Sequence, residues 1–95
     1  LIDTGRTIVK AAEALKAQGA VGVVVAATHA VFSPPAVEIL QSDFIDQVVV
    51  TDTLPIPEDK RWDRLTILPI APLIARAIHE VFEDGSVTSM FDGAA

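Results

Sequence analysis

Cysteine is absent from the 95 residues. That removes a disulfide framework and a thiolate metal site together, and it is compatible with a cytosolic home. Positive charge is scarce as well. Against 13 Asp+Glu the chain sets 7 Lys+Arg, a net charge of −6 with no basic stripe, so nucleic acid is not the expected partner. No apolar run approaches the ~20 residues that a membrane span needs. No secretory leader is expected either, because no charged segment followed by an apolar core opens the chain. The first residue is Leu1 rather than methionine, which suggests a processed or truncated chain. What is present is ample apolar material. Hydrophobic residues make up 51% and charged residues 21%, the balance of one soluble globular domain rather than of a disordered segment. So short a chain buries only roughly 60–65% of its unfolded surface, so its stability is expected to be marginal without partners.

Strands and helices alternate along the sequence. Ile8, Ala11, Ala12 and Leu15 recur at helical spacing and predict a helix over 7–18, with Gly19 at its left-handed end. Val21 to Ala27 is an unbroken, β-branched apolar run, the pattern of a strand covered on both faces. Pro34 to Leu40 reads as a short helix with proline in its first turn. Gln47 to Thr51 repeats the buried-strand pattern, and Leu65 to Leu68 is a third short strand. Between these two lies Asp52 to Asp63, a proline-bearing, charged loop expected to be exposed. Pro72 to Phe82 closes the series as a helix with Leu73, Ala77, Ile78, Val81 and Phe82 on its inner face. Such alternation predicts an α/β fold, a parallel sheet with helices on both faces. The sheet looks incomplete at its N-terminal edge, where only Leu1 and Ile2 precede the first helix. In folds of this kind, ligands sit beyond the carboxyl ends of the strands.

Asp3-Thr4-Gly5-Arg6-Thr7 is the most informative stretch. It places two hydroxyls and a glycine where a helix begins, so unpaired amides and the positive end of the helix dipole face the loop. A phosphate monoester suits such a loop: amides and hydroxyls donate to its oxygens, and Gly5 permits close approach of the backbone. Arg6 either adds a charged contact or points to solvent. The alternative reading is an ordinary helix cap by Thr4 or Asp3 with no ligand.

Leu1 to Thr7 resembles the tail of the phosphoribosyl-diphosphate motif of type I phosphoribosyltransferase folds. Ala27-Thr28-His29-Ala30-Val31-Phe32-Ser33, Val48-Val49-Val50-Thr51-Asp52-Thr53-Leu54-Pro55 and Ser86-Val87-Thr88-Ser89-Met90-Phe91 resemble ribose-phosphate pyrophosphokinase, in that family's order and at compatible spacing. The resemblance runs over essentially the whole chain. It implies that residues 1–95 form the C-terminal, phosphoribosyltransferase-like domain of a larger enzyme. That enzyme is a cytoplasmic transferase of nucleotide biosynthesis, which passes the β,γ-diphosphoryl group of ATP to the 1-hydroxyl of ribose 5-phosphate with Mg²⁺. It also implies a homo-oligomer, commonly a hexamer. Asp3, Thr4, Gly5, Arg6 and Thr7 match the family's loop around the 5-phosphate of ribose 5-phosphate. Ser86, Thr88 and Ser89 match a segment that contributes to a regulatory phosphate or nucleotide site at a subunit boundary.

Two departures stand out. Arg6 replaces the loop's usual second glycine, and the acidic pair expected before Leu1 is not in the sequence. The family's ATP-binding segments, its metal-binding His and Asp and its catalytic Lys/Arg loop have no counterpart here. No catalytic residue and no metal ligand is therefore assigned within this chain, and alone it is expected to be inactive. Two rival readings share the loop: a phosphoribosyltransferase, and a non-catalytic regulatory subunit of the synthase family.

The remaining polar residues have plainer readings beside the functional ones. His29, after the first strand, is read as structural and held by a backbone carbonyl, with Thr28 beside it a candidate for substrate or nucleotide. His79 is read as a helix-surface residue. Asp43, Asp46 and Asp52 are read as solvated or capping, although Asp52 and Thr53 lie at a strand's carboxyl end. The run from Glu58 to Arg64 reads as solvated surface, with Trp62 as a candidate subunit anchor. Ser86 to Phe91 alternates apolar and hydroxyl residues, which predicts an edge strand pinned by Val87 and Phe91.

Overall fold

The structure is a computed structural model and describes residues 1–91. Helix α1 spans Arg6–Ala17 and ends as its sequence dictates. Gly19 takes φ 103, its amide donates to the Lys16 carbonyl at 3.1 Å, and the Ala20 amide reaches back to Leu15 at 3.0 Å. That pair of bonds is the Schellman closure, which only a residue free of Cβ strain completes cheaply. Strand β1 follows at Val24–Ala27, helix α2 at Ala36–Leu40, strand β2 at Gln47–Thr51, strand β3 at Leu65–Leu68 and helix α3 at Ala71–Phe82. Single 3-10 turns occupy Glu58–Lys60 and Thr88–Phe91.

The three strands form one parallel sheet in chain order, with Val25 beside Val48 and Val48 beside Leu65. A single parallel bridge between Ile2 and Ala30 adds the beginning of a further strand next to β1. The bridge sets the N-terminal loop at the carboxyl edge of the sheet, beside the turn that follows β1. β1 is shorter than the apolar run that contains it. Val21 is fully exposed, and Val23 is held from outside the strand ladder by the backbone and carboxylate of Asp46.

Alternation along the strands separates two faces. Val48 and Val50 are buried against Ile2, Phe32, Ala36, Leu40, Ile45 and Ala12 on the side that α1 and α2 cover. Ile8 and Val9 pack there from α1, while Leu15 is exposed. The unbroken apolar runs predict cover on both faces, and the structure covers one. Val24 stays 67% exposed and Leu68 49% exposed on the other.

Helix α3 has the expected amphipathic pattern but no partner for its apolar stripe. Ile74, Ile78, Val81 and Phe82 are exposed, and α3 makes no more than marginal contact with any other element among the described residues. The molecule is accordingly elongated. Its radius of gyration is 16.3 Å, against about 12 Å for a compact chain of this length.

The charged loop is exposed along most of its length, as expected, but not throughout. Ile56 is part of the core, and Trp62 is half-buried with its ring 5.8 Å from that of Phe32, so it anchors the chain's own interior. Lys60, Arg61 and Arg64 donate to the carbonyls of Phe32, Ile56 and Ile45, stapling the loop to the backbone of the core. The tail is a 3-10 turn instead of an edge strand. Its hydroxyls bond locally, Ser89 to the Ser86 carbonyl at 2.6 Å, which offers the backbone an alternative to a ladder.

Candidate functional site

The Asp3–Thr7 loop joins the Ile2–Ala30 bridge to α1, and its shape is set at Gly5. Gly5 is the residue before the helix and takes φ 80, a left-handed conformation that side chains resist. A Cβ there would stand 2.9 Å from Leu40 Cδ2 and 3.1 Å from Leu40 Cγ, so α2 presses directly on the bend. Both conformation and space therefore require glycine. Arg6, the departure from the family pattern, falls one residue later, within the helix, where the backbone has no such demand. Its side chain is exposed and hydrogen-bonds to no described residue.

The amides at this end of the helix are unengaged. The first bond of α1 runs from the Val9 amide to the Gly5 carbonyl at 3.0 Å. Neither Asp3 nor Thr4 caps the helix, so the capping alternative does not hold. Among the described residues no acceptor meets the amides of residues 5–8. In front of them lies an open recess of about 180 Å³ lined by Leu1, Asp3, Thr4, Gly5, Arg6, Thr7 and Ile8. Free amides, the positive end of a twelve-residue helix and two hydroxyls thus surround a small recess, a set of groups whose chemistry suits an anion.

A second polar group sits beside the loop at the carboxyl ends of β1 and β2. Ile2 donates to the His29 carbonyl at 2.9 Å, which couples the two. His29 Nδ1 lies 2.7 Å from Thr53 Oγ1, so a hydroxyl holds the ring where a carbonyl is expected. Thr51 Oγ1 donates to the Thr28 carbonyl at 2.6 Å.

The remaining candidates are structural or remote. Asp52 Oδ1 accepts from the Ile70 amide at 2.8 Å, just ahead of α3. Asp46 accepts from the Val23 amide at 2.6 Å and stands 3.5 Å from Lys16 Nζ. That backbone bond, helped by Lys16, holds the Asp46 carboxyl below the usual carboxylate value. His79 is exposed on α3. Ser86, Thr88 and Ser89 are exposed in the terminal turn, and their hydrogen bonds stay within it. Among the described residues no group of three His, Asp or Glu side chains gathers to hold a metal ion. The sequence gives no sign of the part Leu40 plays, because the contact joins residues far apart in the chain.

A parallel α/β fold with an open polar recess at its carboxyl edge defines the broad class, and comparison with known proteins narrows it. The family described as "Phosphoribosyl synthetase-associated domain" matches residues 1–92, and the chain belongs to it. It is 59% identical over 92 residues to the ribose-phosphate pyrophosphokinase of Bifidobacterium longum, covering 97% of this chain and 27% of that protein. With the Mycobacterium leprae ribose-phosphate pyrophosphokinase it shares 53% identity over 95 residues, 100% of this chain and 29% of the relative. Phosphoribosylpyrophosphate synthetase from Mycobacterium smegmatis, a crystal structure, superposes with a TM-score of 0.81 at 52% identity, over 88% of this chain and 28% of its own. The chain thus spans less than a third of the length of the relatives it matches. No helix among the described residues is long and apolar enough to cross a membrane.

Proposed function

We propose that this chain supplies the 5-phosphate-binding loop of a ribose-phosphate diphosphokinase, the enzyme that makes phosphoribosyl diphosphate and AMP from ATP and ribose 5-phosphate. The observation that carries the reading is the uncapped N-terminus of α1, with Gly5 at its left-handed bend closely backed by Leu40 and an open recess before it. In this reading residues 1–95 are the C-terminal phosphoribosyltransferase-like domain. Asp3, Thr4, Gly5, Arg6 and Thr7 hold the phosphate.

The phosphate is remote from the reacting oxygen, and its use is positional. Amides of the first helical turn, together with the Thr4 and Thr7 hydroxyls, donate to the phosphoryl oxygens. The helix dipole favours their negative charge. Fixing that end of the sugar limits where the 1-hydroxyl can travel, which favours in-line attack on the β-phosphorus of ATP with AMP as the leaving group. ATP is bound, in this reading, by polypeptide corresponding to the part of the relatives outside this span. Mg²⁺ neutralises phosphate charge in such reactions; the described residues do not fit it, and none is assigned to it. Ser86, Thr88 and Ser89 are assigned to a regulatory phosphate or nucleotide site at a subunit boundary of a homo-oligomer, a hexamer in the family. The protein is taken to be cytoplasmic.

Titration with ribose 5-phosphate, followed through the amide resonances of Gly5 and Thr7, tests the loop. Millimolar ligand shifts both resonances if the reading holds, and their silence overturns it. Joining the chain to the remaining N-terminal part of the Bifidobacterium longum relative tests the activity. The fusion is expected to form AMP only when ATP and ribose 5-phosphate are both present.

A further inference from the structure

We propose that His29 is a substrate-binding residue that donates its Nε2–H to an oxygen of the pentose whose phosphate the Asp3–Thr7 loop holds; this rests on the loop reading above. Three observations converge on the ring.

The first is placement. Ile2 and Ala30 are bridged in parallel and both are buried, so they face the same, covered side of the sheet. Leu1 and His29, one residue earlier on each side of that bridge, project to the opposite side, where Leu1 is 78% exposed and His29 is exposed too. Leu1 also lines the phosphate recess. The backbones of His29 and Leu1 therefore run side by side on one face, about one inter-strand spacing (~4.8 Å) apart, so His29 is the neighbour of a residue that lines the recess.

The second is the direction of the hydrogen bonds. The Thr28 carbonyl already accepts from the Thr51 hydroxyl at 2.6 Å and from the Thr51 amide at 3.4 Å. Thr53 Oγ1 stands 3.3 Å from that occupied carbonyl and 2.7 Å from His29 Nδ1. The Thr53 hydroxyl hydrogen is best assigned to Nδ1, by counting acceptors. This selects the tautomer that carries its hydrogen on Nε2.

The third is what lies beyond Nε2. No described residue accepts from it. The outcome is a donor on an exposed ring at the carboxyl edge of the sheet, held by Thr53, whose own amide donates to Thr51 Oγ1 at the end of β2. A donor of this kind suits a sugar oxygen. Inorganic phosphate, seated deeper among the amides, has no need of it.

The experiment compares two probes on the 95-residue chain, inorganic phosphate and ribose 5-phosphate, reading the Gly5 and Thr7 amides and the His29 ring resonances together. Phosphate is expected to move the amides alone, and ribose 5-phosphate to move amides and ring. His29→Ala is expected to weaken ribose 5-phosphate about tenfold, the size of one hydrogen bond, with phosphate affinity changed less than about twofold. His29→Gln, which keeps a side-chain donor, recovers part of the loss. If ribose 5-phosphate moves the amides but not the ring, or if phosphate alone moves the ring, the proposal falls and the loop reading stands. An unchanged ribose 5-phosphate affinity in His29→Ala has the same meaning. If neither probe moves the amides, both fall. Should His29→Ala fail to fold, the ring response of the unsubstituted chain decides the matter.

Discussion

The two faces of the sheet are built from the same strands and live in opposite surroundings. On one, Val48 and Val50 lie at 0% and 1% exposure beneath α1 and α2. On the other, Val24 and Leu68 stand open, and the apolar stripe of α3 likewise has no partner among the described residues. Residue type does not distinguish the faces, since valine and leucine serve both. The difference is supplied by connectivity. Short crossovers return α1 and α2 to one side, and nothing among the described residues returns to the other. An amphipathic pattern therefore reports that a helix has an apolar side, and says nothing of where in the chain its complement lies.

The contrast can be broken most forcefully on the covered side. Phe32→Ala empties a fully buried ring site and is expected to cost about 3–5 kcal/mol, read as a lowered urea midpoint. Gly5→Ala comes next, at about 1–3 kcal/mol from the left-handed backbone and the collision with Leu40. It is also expected to abolish the phosphate response of the Thr7 amide. Asp46 marks the rim between the faces. Its carboxyl is held below its ordinary value, so the stability it contributes is complete above about pH 4. That contribution is lost as pH falls through the lowered value. Asp46→Asn is thus expected to flatten the acid limb of the unfolding curve, measured between pH 5 and pH 2 (roughly the interval in which such a group titrates). Ile78→Ser, on α3, is expected to change stability by less than about 0.5 kcal/mol. A loss as large as that of Phe32→Ala would mean that the bare side is covered in solution, and the contrast would disappear.

Much of this was legible in the residues. The Schellman end at Gly19, the existence of strands at β2 and β3 and the helix that opens after the Asp3–Thr7 stretch follow from local chemistry, and the structure agrees with each. The failures share a cause. Val21 to Ala27 looks like a strand throughout, yet whether Val24 is buried depends on which helices return to its side. Ser86 to Phe91 alternates as a strand does, but no neighbouring strand is present to pair with it, so serine hydroxyls and local turns win. Trp62 in a charged run reads as surface until Phe32, distant in sequence, provides a ring to pack on. At the loop, residue types point to a glycine bend before a helix, whereas the proximity of Leu40 to Gly5 and of the Thr53 hydroxyl to His29 are long-range contacts with no local signature.

Trp62 gives the molecule an unplanned instrument. The chain has one tryptophan and no tyrosine, and its indole lies half-buried against Phe32 with the ring nitrogen lacking a partner among the described residues. Ultraviolet emission excited at the indole band consequently watches a single neighbourhood, the interior beneath α1 and α2, and is blind to α3. Circular dichroism at the helical band sees both. Any gap between the two signals on heating measures how independently α3 melts.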